Sequence, residues 1–308
     1  MPAGDFVNPV LDENFPDPFI LRDGTTWYAY ATGNLTWNIQ VSTSTDLVTW
    51  SATEEALPTL PLWQPTSKGL TWAPEVVHTS AGFVMHYTTR DVQRGKQCLS
   101  VAVAADPGGP FEDHSDGPLE CQIQLGGSID SSPFTDADGS RWLVWKNDGN
   151  CCGQHTHFFM TQLDATATKA VGKPKDIGLD NDKGWEGNVI EAPQILLHDG
   201  TYYLFYSAND YASTNYAVGY ATASHVTGPY HDAPENPILT SKGDAAGPGH
   251  ETIVKDAAGD LWMAYHAWDP AQIGDNVGGR RAMWLDRLTF EGGKPVVHGP
   301  TEDPQPDP

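Results

Sequence analysis

The sequence predicts an all-β chain folded as one five-bladed β-propeller, and three observations support this fold class. A short motif occurs five times along the 308 residues, at intervals of 56 to 60 residues. Each copy contains two apolar-aromatic runs joined by a tight turn, which is the pattern of a β-hairpin. Glycine (31 residues) and proline (24 residues) are frequent, as a chain with many turns requires, and helical periodicity is weak throughout.

Each copy of the motif opens just before a short apolar run, passes through a turn of the Asp-Gly type and continues in a second, aromatic-rich run. The opening residues are Asp17, Trp72, Asp130, Glu191 and His250. The spacings are 56, 59, 60 and 59 residues when the copies are aligned on Pro18, Pro74, Pro133, Pro193 and Thr252. Because further strand-like sequence follows in every copy, we expect four short strands per repeat, which is the composition of a propeller blade.

The five repeats predict a single domain over residues 1–298, with no internal linker. The segment 299–308 that follows is rich in proline and acidic residues. Such a composition does not bury enough apolar surface to form a core of its own. We therefore expect this segment to be an extended terminus or a linker stub.

The net charge of −23, from 40 acidic and 17 basic residues, limits the classes of partner. A surface this negative repels phosphate backbones and anionic lipid headgroups, so we expect neither nucleic acid nor membrane partners. A neutral ligand suits this charge better than an anionic one, although the charge also serves solubility. We expect the chain to be a monomer.

The four cysteines and the N-terminus bear on the cellular location. The N-terminus lacks a positively charged and an apolar signal region, so the protein is either cytoplasmic or has lost a leader. A disulfide between Cys98 and Cys121 would favour export. The adjacent Cys151 and Cys152 are equally compatible with two buried thiols and with a disulfide, and no cysteine has the spacing of a zinc site. We expect an extracellular protein, with a cytoplasmic one as the alternative.

The repeat brings acidic residues from distant parts of the chain to one point. In a propeller the first strand of every blade lines the central axis, so the five opening residues meet at the mouth of the axial channel. Three of them are the acids Asp17, Asp130 and Glu191. Each acid alone also fits a turn or a strand end, but three at one repeat position indicate a site. Paired carboxylates of this kind, one protonated and one ionised, are what cleavage of a glycosidic bond requires.

At these residues the chain resembles glycoside hydrolase family 43 over nearly its whole length. The resemblance rests on four motifs: Asn8-Pro9-Val10 followed by Phe15-Pro16-Asp17-Pro18, Trp72-Ala73-Pro74-Glu75, Ile129-Asp130 before Pro133-Phe134, and Glu191-Ala192-Pro193. The family more often has glycine where this chain has Ala192. The four motifs together are specific, whereas a single Pro-Asp-Pro carries no information.

The resemblance implies an inverting mechanism with three roles. Asp17 would be the general base that deprotonates water, and Glu191 the general acid that protonates the departing oxygen. Asp130 would keep Glu191 protonated and aligned. Inversion requires the base and the acid to lie about 6.5–9.5 Å apart, so that a water molecule fits between them. No cofactor is required for this chemistry.

Four further residues are predicted to bind substrate. Trp72 is placed to stack on a sugar, although a core position suits it nearly as well. Arg281, of the pair Arg280-Arg281, resembles the family's substrate-binding arginine. Trp37 is expected to wall the pocket, with a surface role as the alternative. His250 resembles an axial histidine that meets a structural calcium ion through water in many relatives. The alternative is a histidine whose role is hydrogen bonding alone, so calcium at His250 is one of two predictions.

The resemblance implies neutral plant polysaccharides or oligosaccharides as substrates. The first prediction is an exo-acting α-L-arabinofuranosidase on arabinan or arabinoxylan. A β-D-xylosidase, or a bifunctional enzyme, is the alternative. Many β-xylosidases of the family carry a C-terminal β-sandwich, for which 308 residues leave no room. An endo-arabinanase and a sugar-binding propeller without catalysis complete the alternatives, although the presence of all three acids disfavours the last.

Overall fold

The structure, a computed structural model that describes residues 4–308, confirms the five-bladed β-propeller. Five antiparallel sheets follow one another along the chain, and a further two-stranded sheet joins its ends. The first strand of each blade contacts the first strands of the two neighbouring blades, so these five strands surround the axis. Each blade is one repeat of the sequence, as the motif spacing predicts.

The strands are short and follow the repeat. Strand β1 (Asp5–Phe6) precedes the first blade, which contains β2 (Phe19–Asp23), β3 (Thr26–Thr32), β4 (Ile39–Ser44) and β5 (Glu54–Glu55). The second blade contains β6 (Thr71–Thr79), β7 (Gly82–Asp91) and β8 (Lys96–Ala104). The third contains β9 (Ser128–Thr135), β10 (Arg141–Asn147), β11 (His157–Leu163) and β12 (Lys175–Asp180). The fourth contains β13 (Ile190–His198), β14 (Thr201–Ala208), β15 (Ala217–Ala223) and β16 (His231–Asp232). The fifth contains β17 (Ala246–Lys255), β18 (Leu261–Trp268), β19 (Arg281–Glu291) and β20 (Lys294–Val297), and β21 (Gln305–Pro306) follows.

The second blade departs from the predicted four strands. Its outer position is occupied by an irregular segment whose backbone pairs with β8 at isolated bridges, at Glu112 and at Glu120. This segment contains Gly117 and Pro118. Proline has no N–H to donate to a ladder and glycine weakens a strand, which explains why a regular fourth strand does not form there.

Helices are few and short. The helices in the described part of the chain are 3₁₀ turns, at Ile123–Leu125, Gly149–Cys152, Gly184–Glu186 and Asp275–Val277. Within residues 4–308, none of them has the length or the apolar composition needed to cross a membrane.

Apolar layers between neighbouring blades form the core. Five hydrophobic clusters occur, one between each pair of adjacent blades. Alternation along a strand sends successive side chains to opposite faces, so β14 places Leu204 and Tyr206 against the third blade and Phe205 against the fifth. Each blade is therefore apolar on both faces, and the blades stabilise one another around the ring.

The backbone turns sharply where the inner strand of each blade reaches the mouth of the channel, and in four blades this turn is a β-bulge within the strand. The residue at this point has a positive φ, between 45° and 58°, and the five such residues are Asp17, Ala73, Asp130, Ala192 and His250. In four blades the ladder register shifts across this point. In the first blade Asp17 lies just before β2. The carbonyl of the residue before it, Pro16, accepts the N–H of Thr32 in β3.

The bulge corrects the repeat alignment derived from the sequence. The residues that follow the positive-φ position are Pro18, Pro74, Ser131, Pro193 and Glu251, so the alignment on Pro133 and Thr252 is wrong in the third and fifth copies. Trp72 and Glu191 therefore precede the positive-φ position by one residue, whereas the other three opening residues occupy it. Prolines align only where the bulge itself contains one.

The N-terminal segment closes the ring by packing on the last blade. Leu11 bridges to Met283 of β19, and buried Asn8 donates to the carbonyl of Leu285 and accepts its N–H, at 2.9 and 2.8 Å. Strand β1 then pairs with β21. The segment 299–308 contacts the propeller there as well, since Gln305 donates to the carbonyl of Leu285 at 3.1 Å.

Two disulfides lie near the third blade. One joins Cys98 of β8 to Cys121, and the other joins the adjacent Cys151 and Cys152 in the 3₁₀ turn Gly149–Cys152. The vicinal pair is therefore a disulfide in this structure, and both cysteines are exposed.

Asn8→Ala is expected to weaken ring closure. The change removes both hydrogen bonds to Leu285. The Leu285 carbonyl keeps the hydrogen bond from Gln305 Nε2 at 3.1 Å, but its N–H loses its partner, so the free energy of unfolding should fall by about 1–3 kcal/mol. Urea unfolding followed by tryptophan fluorescence measures this. Asn215→Ala, at an exposed asparagine, is the control and should change little. Equal stability of the two variants would show that the Asn8 contact does not hold the ring.

Candidate active site

The predicted site residues meet at one end of the axis, in a cavity of about 690 Å³. Its lining includes Asp17, Asp130 and Glu191, which come from the first, third and fourth blades. Trp72, His250 and Arg281 line it as well. The convergence predicted from the repeat is therefore what the fold produces.

Asp17 is buried and surrounded by positive or polar groups. Its Oδ1 lies 3.0 Å from Arg281 Nη1 and 3.3 Å from His250 Nδ1. Thr32 donates its hydroxyl to Oδ2. The backbone N–H of Asp17 donates to Nδ1 of the fully buried His266, at 3.1 Å.

These neighbours keep Asp17 ionised. Burial alone raises the pKa of Asp17, but Arg281, His250 and His266 together outweigh burial and hold the pKa well below its ordinary value. Burial lowers the pKa of His266 to about 4, so this ring is neutral near pH 7 and its Nδ1 is free to accept the Asp17 N–H. A carboxylate held ionised in this way is suited to accept a proton from water.

Asp130 has the opposite character. It is buried, and burial raises the pKa of Asp130 to about 6 against the opposing charges of His250 and Lys146. Its Oδ2 accepts the backbone N–H of Ala192, which follows Glu191 in β13. Asp130 is thus attached to the strand that carries Glu191, as its predicted role in aligning Glu191 requires.

Glu191 is partly exposed to the cavity and held from behind by two buried side chains. Its Oε1 accepts the hydroxyl of Tyr216 at 2.7 Å, and its Oε2 lies 3.1 Å from Lys146 Nζ. Lys146 also donates to Asn150 Oδ1 at 2.8 Å. The carboxyl group is therefore fixed in direction while one side stays open to the cavity.

The two neighbouring arginines have different environments. Arg281 is buried and lies over the rings of Tyr211 and Trp268, with its guanidinium carbon 5.0 and 5.3 Å from the ring centres. Arg280 points outward and pairs with exposed Asp12 at 2.6 Å. The geometry thus places Arg281, and not Arg280, in the cavity.

The two predicted tryptophans differ in position. Trp72 lines the cavity, with its indole N–H donating to the carbonyl of Gly69 at 3.1 Å. Trp37 lies in the same loop as Leu35 but is absent from the cavity lining, where Leu35 is found. Its backbone instead closes a tight turn with Asn34.

His250 was the residue expected to meet calcium. Its Nδ1 is directed at Asp17, and no three His, Cys, Asp or Glu residues within 4–308 are arranged to hold a metal ion together. The donor set therefore does not fit a directly ligated ion, and calcium held through water stays a prediction. No step of the chemistry below depends on it.

Several functional neighbours were missed by reasoning from the sequence. None of them opens a first strand, and each contacts Asp17, Glu191 or Arg281; they are Thr32, Lys146, Tyr211, Tyr216 and His266. Three of them, Thr32, Lys146 and His266, occupy equivalent places in the second strands of their blades. An alignment of the five repeats on the positive-φ residue, rather than on proline, would have identified these three residues as neighbours of the site.

Arg281→Met is expected to raise the pKa of Asp17. Removing a cation 3.0 Å from Oδ1 should move this pKa upward by about one to three units, which ¹³C NMR of labelled aspartates follows, with Asp17→Asn to assign the signal. Arg280→Met is the matched control, because Arg280 pairs only with exposed Asp12, and should leave the Asp17 titration in place. An unchanged pKa in Arg281→Met would show that Arg281 is not the group that keeps Asp17 ionised.

Comparison with known proteins agrees with this geometry. The family model "Glycosyl hydrolases family 43" matches residues 6–295. The chain is 30% identical over 278 residues to a xylan 1,3-β-xylosidase of a Vibrio species, covering 84% of this chain and 49% of that protein. It is 28% identical to xylosidase/arabinosidase 43B of Humicola insolens, covering 91% of this chain and 53% of that protein.

A solved structure resembles the chain over its whole length. The crystal structure of a thermostable family-43 glycoside hydrolase superposes with a TM-score of 0.87 at 30% identity, covering 98% of this chain and 99% of that one. The chain spans about half the length of the two curated relatives named above. The family match, the propeller and the three carboxylates in one cavity lead to the same conclusion: the chain belongs to glycoside hydrolase family 43.

Proposed function

We propose that this glycoside hydrolase releases single pentose units from the ends of neutral plant oligosaccharides or polysaccharides, with inversion at the anomeric carbon. The observation that carries the proposal is the contrast between the cavity carboxylates. Asp17 is held ionised by Arg281 and two histidines, whereas burial raises the pKa of Asp130 to about 6. An ionised base and a neighbouring protonatable group are the requirement for this hydrolysis.

The proposed reaction is a single displacement. Asp17 takes a proton from a water molecule while the water oxygen attacks the anomeric carbon. The bond from that carbon to the leaving oxygen breaks, and Glu191 gives its proton to that oxygen. The products are a free sugar of inverted configuration and a shortened chain. Asp130, bound to the N–H of Ala192, keeps Glu191 aligned.

The cavity walls support action at a chain end. Loops from the first, third, fourth and fifth blades border the cavity, through Leu35, Cys151, Tyr211 and Asp275. A border contributed by four blades suits a pocket for one terminal sugar better than a groove across the face. Trp72 and Arg281 supply an aromatic surface and hydrogen-bond donors for a neutral ring.

Two pentoses are candidates for the released sugar. The first is α-L-arabinofuranose from arabinan or arabinoxylan, as the sequence predicts. The second is β-D-xylose, which the names of the Vibrio and Humicola relatives favour. We also propose that the enzyme binds neither nucleic acid nor membranes. We propose that it is a monomer.

We also propose that the protein works outside the cytoplasm. The two disulfides support this location, because disulfides persist in oxidising compartments and are rare in the cytosol. Immunodetection in the medium and in the cells of the source culture tests it. Protein confined to the cells would contradict the proposal.

Hydrolysis of aryl α-L-arabinofuranoside, aryl β-D-xyloside and linear arabinan tests the activity and the sugar. Release from at least one aryl glycoside is expected, and Glu191→Gln should lower its kcat/KM by about 10²–10⁴-fold. Glu112→Gln, at an exposed acid of the second blade, is the control and should match the parent. Cleavage of arabinan alone would replace exo with endo action, and no cleavage of any substrate would refute the proposed function.

The stereochemical course is a separate prediction. ¹H NMR recorded during the first minutes of the reaction should show the anomer opposite to that of the substrate. Initial release of the anomer with the substrate's own configuration would require a covalent glycosyl-enzyme instead, and would exclude the role given to Asp17.

A further inference from the structure

One position in the second strand of every blade holds the blades together around the mouth of the channel. It pairs with the residue just before the bulge, and its five occupants are Thr32, Thr88, Lys146, Ser207 and His266. In four cases the side chain accepts the backbone N–H of the positive-φ residue of the next blade. Thr32 accepts from Ala73, Thr88 from Asp130, Ser207 from His250, and His266 from Asp17.

Lys146 is the exception in this ring. A protonated lysine has donors only and accepts no hydrogen bond, so the N–H of Ala192 in the next blade donates to Asp130 Oδ2 instead. The Lys146 side chain is fully buried and directs its Nζ to Glu191 Oε2 at 3.1 Å. The hydrogen bond that joins the other blades is therefore absent between the third and fourth blades, and the side chain at this position contacts Glu191 instead.

The fold itself does not favour a lysine here. Burying an ammonium costs several kcal/mol, which an ion pair offsets only partly. A threonine occupies the same position in the first two blades and satisfies the neighbouring N–H with a short neutral side chain. A threonine at position 146 would avoid the cost of burying a charge. Because the chain has a lysine there instead, in contact with Glu191, we infer that Lys146 has a role in the reaction.

We propose that Lys146 is a positioning residue that directs the Glu191 carboxyl group and stabilises the carboxylate formed when Glu191 gives its proton to the leaving oxygen. This inference rests on the proposed function. The proton moves from Glu191 to the departing oxygen, and the charge left on Glu191 is matched by the Lys146 ammonium group already beside it. Because Lys146 is fully buried, it does not touch the substrate.

Other titratable groups also face Glu191 or act on it. They come from β9, the turn after β10, the loop after β14 and β17, and they are Asp130, Asp148, Tyr211, Tyr216 and Glu251. Tyr216 donates a neutral hydrogen bond, and the acids carry no positive charge. Lys146 is thus the positive charge in direct contact with Glu191 among the described residues, which makes its removal a clean test.

Lys146→Thr tests the proposal, because it installs the residue that the ring already accepts twice. We expect the variant to fold and to unfold at a temperature at or above that of the parent. The descending limb of kcat/KM against pH should move up by about one to three pH units. At the parent's optimum, kcat/KM should fall about 10²-fold for a substrate with a poor, alkyl-type leaving group. For an activated nitrophenyl glycoside, which needs little protonation, the fall should be clearly smaller.

Lys146→Arg is the companion variant, since it keeps the positive charge. Its descending limb should stay near that of the parent even if its rates are lower. A limb displaced as in Lys146→Thr would overturn the proposal. So would an unmoved limb in Lys146→Thr, an equal loss on both leaving groups, or failure of Lys146→Thr to fold, because each assigns Lys146 to the fold alone. Failure of the proposed function is seen separately, as a parent protein that hydrolyses no glycoside.

Discussion

The bulge at the mouth of each inner strand is the constraint on which the site depends. A residue with positive φ is unfavourable outside glycine, yet Asp17, Asp130 and His250 adopt this conformation in their blades. The N–H at each of these turns donates to a side chain of the preceding blade. This side chain belongs to the second strand of that blade, except at Ala192, where it is Asp130 of the first strand. The same backbone turn therefore joins neighbouring blades and aims side chains into the cavity. Stability and site geometry are consequences of one local conformation.

A second constraint is the concentration of acids around the axis. The chain carries a net charge of −23, and close carboxylates do not all ionise together. Their neighbours separate their properties: cations keep Asp17 ionised, whereas burial raises the pKa of Asp130 to about 6 and that of Glu251 to about 7. The proposed reaction would use this separation, since its base and its acid need opposite protonation states.

The repeat spacing is sufficient to predict the blades and the meeting of the three acids, because position in the repeat determines position around the axis. Their neighbours are a different matter. Lys146 follows an apolar run and Tyr216 lies in a loop, so neither shows in the sequence where its side chain is directed. The proline alignment fails at Pro133 because the bulge is a property of backbone dihedral angles, which no single residue type marks. The cavity border also includes loop residues such as Leu35, whose positions follow no repeat.

Closure of the ring by residues from both ends has a consequence for synthesis. Asn8 and Leu11 bind β19, which begins at Arg281, so a growing propeller cannot close its ring until β19 has left the ribosome. Until then the apolar face shared by the first and fifth blades stays uncovered. The first blade therefore lacks its packing partner until the last blade has been synthesised. During this time the nascent protein is most prone to self-association.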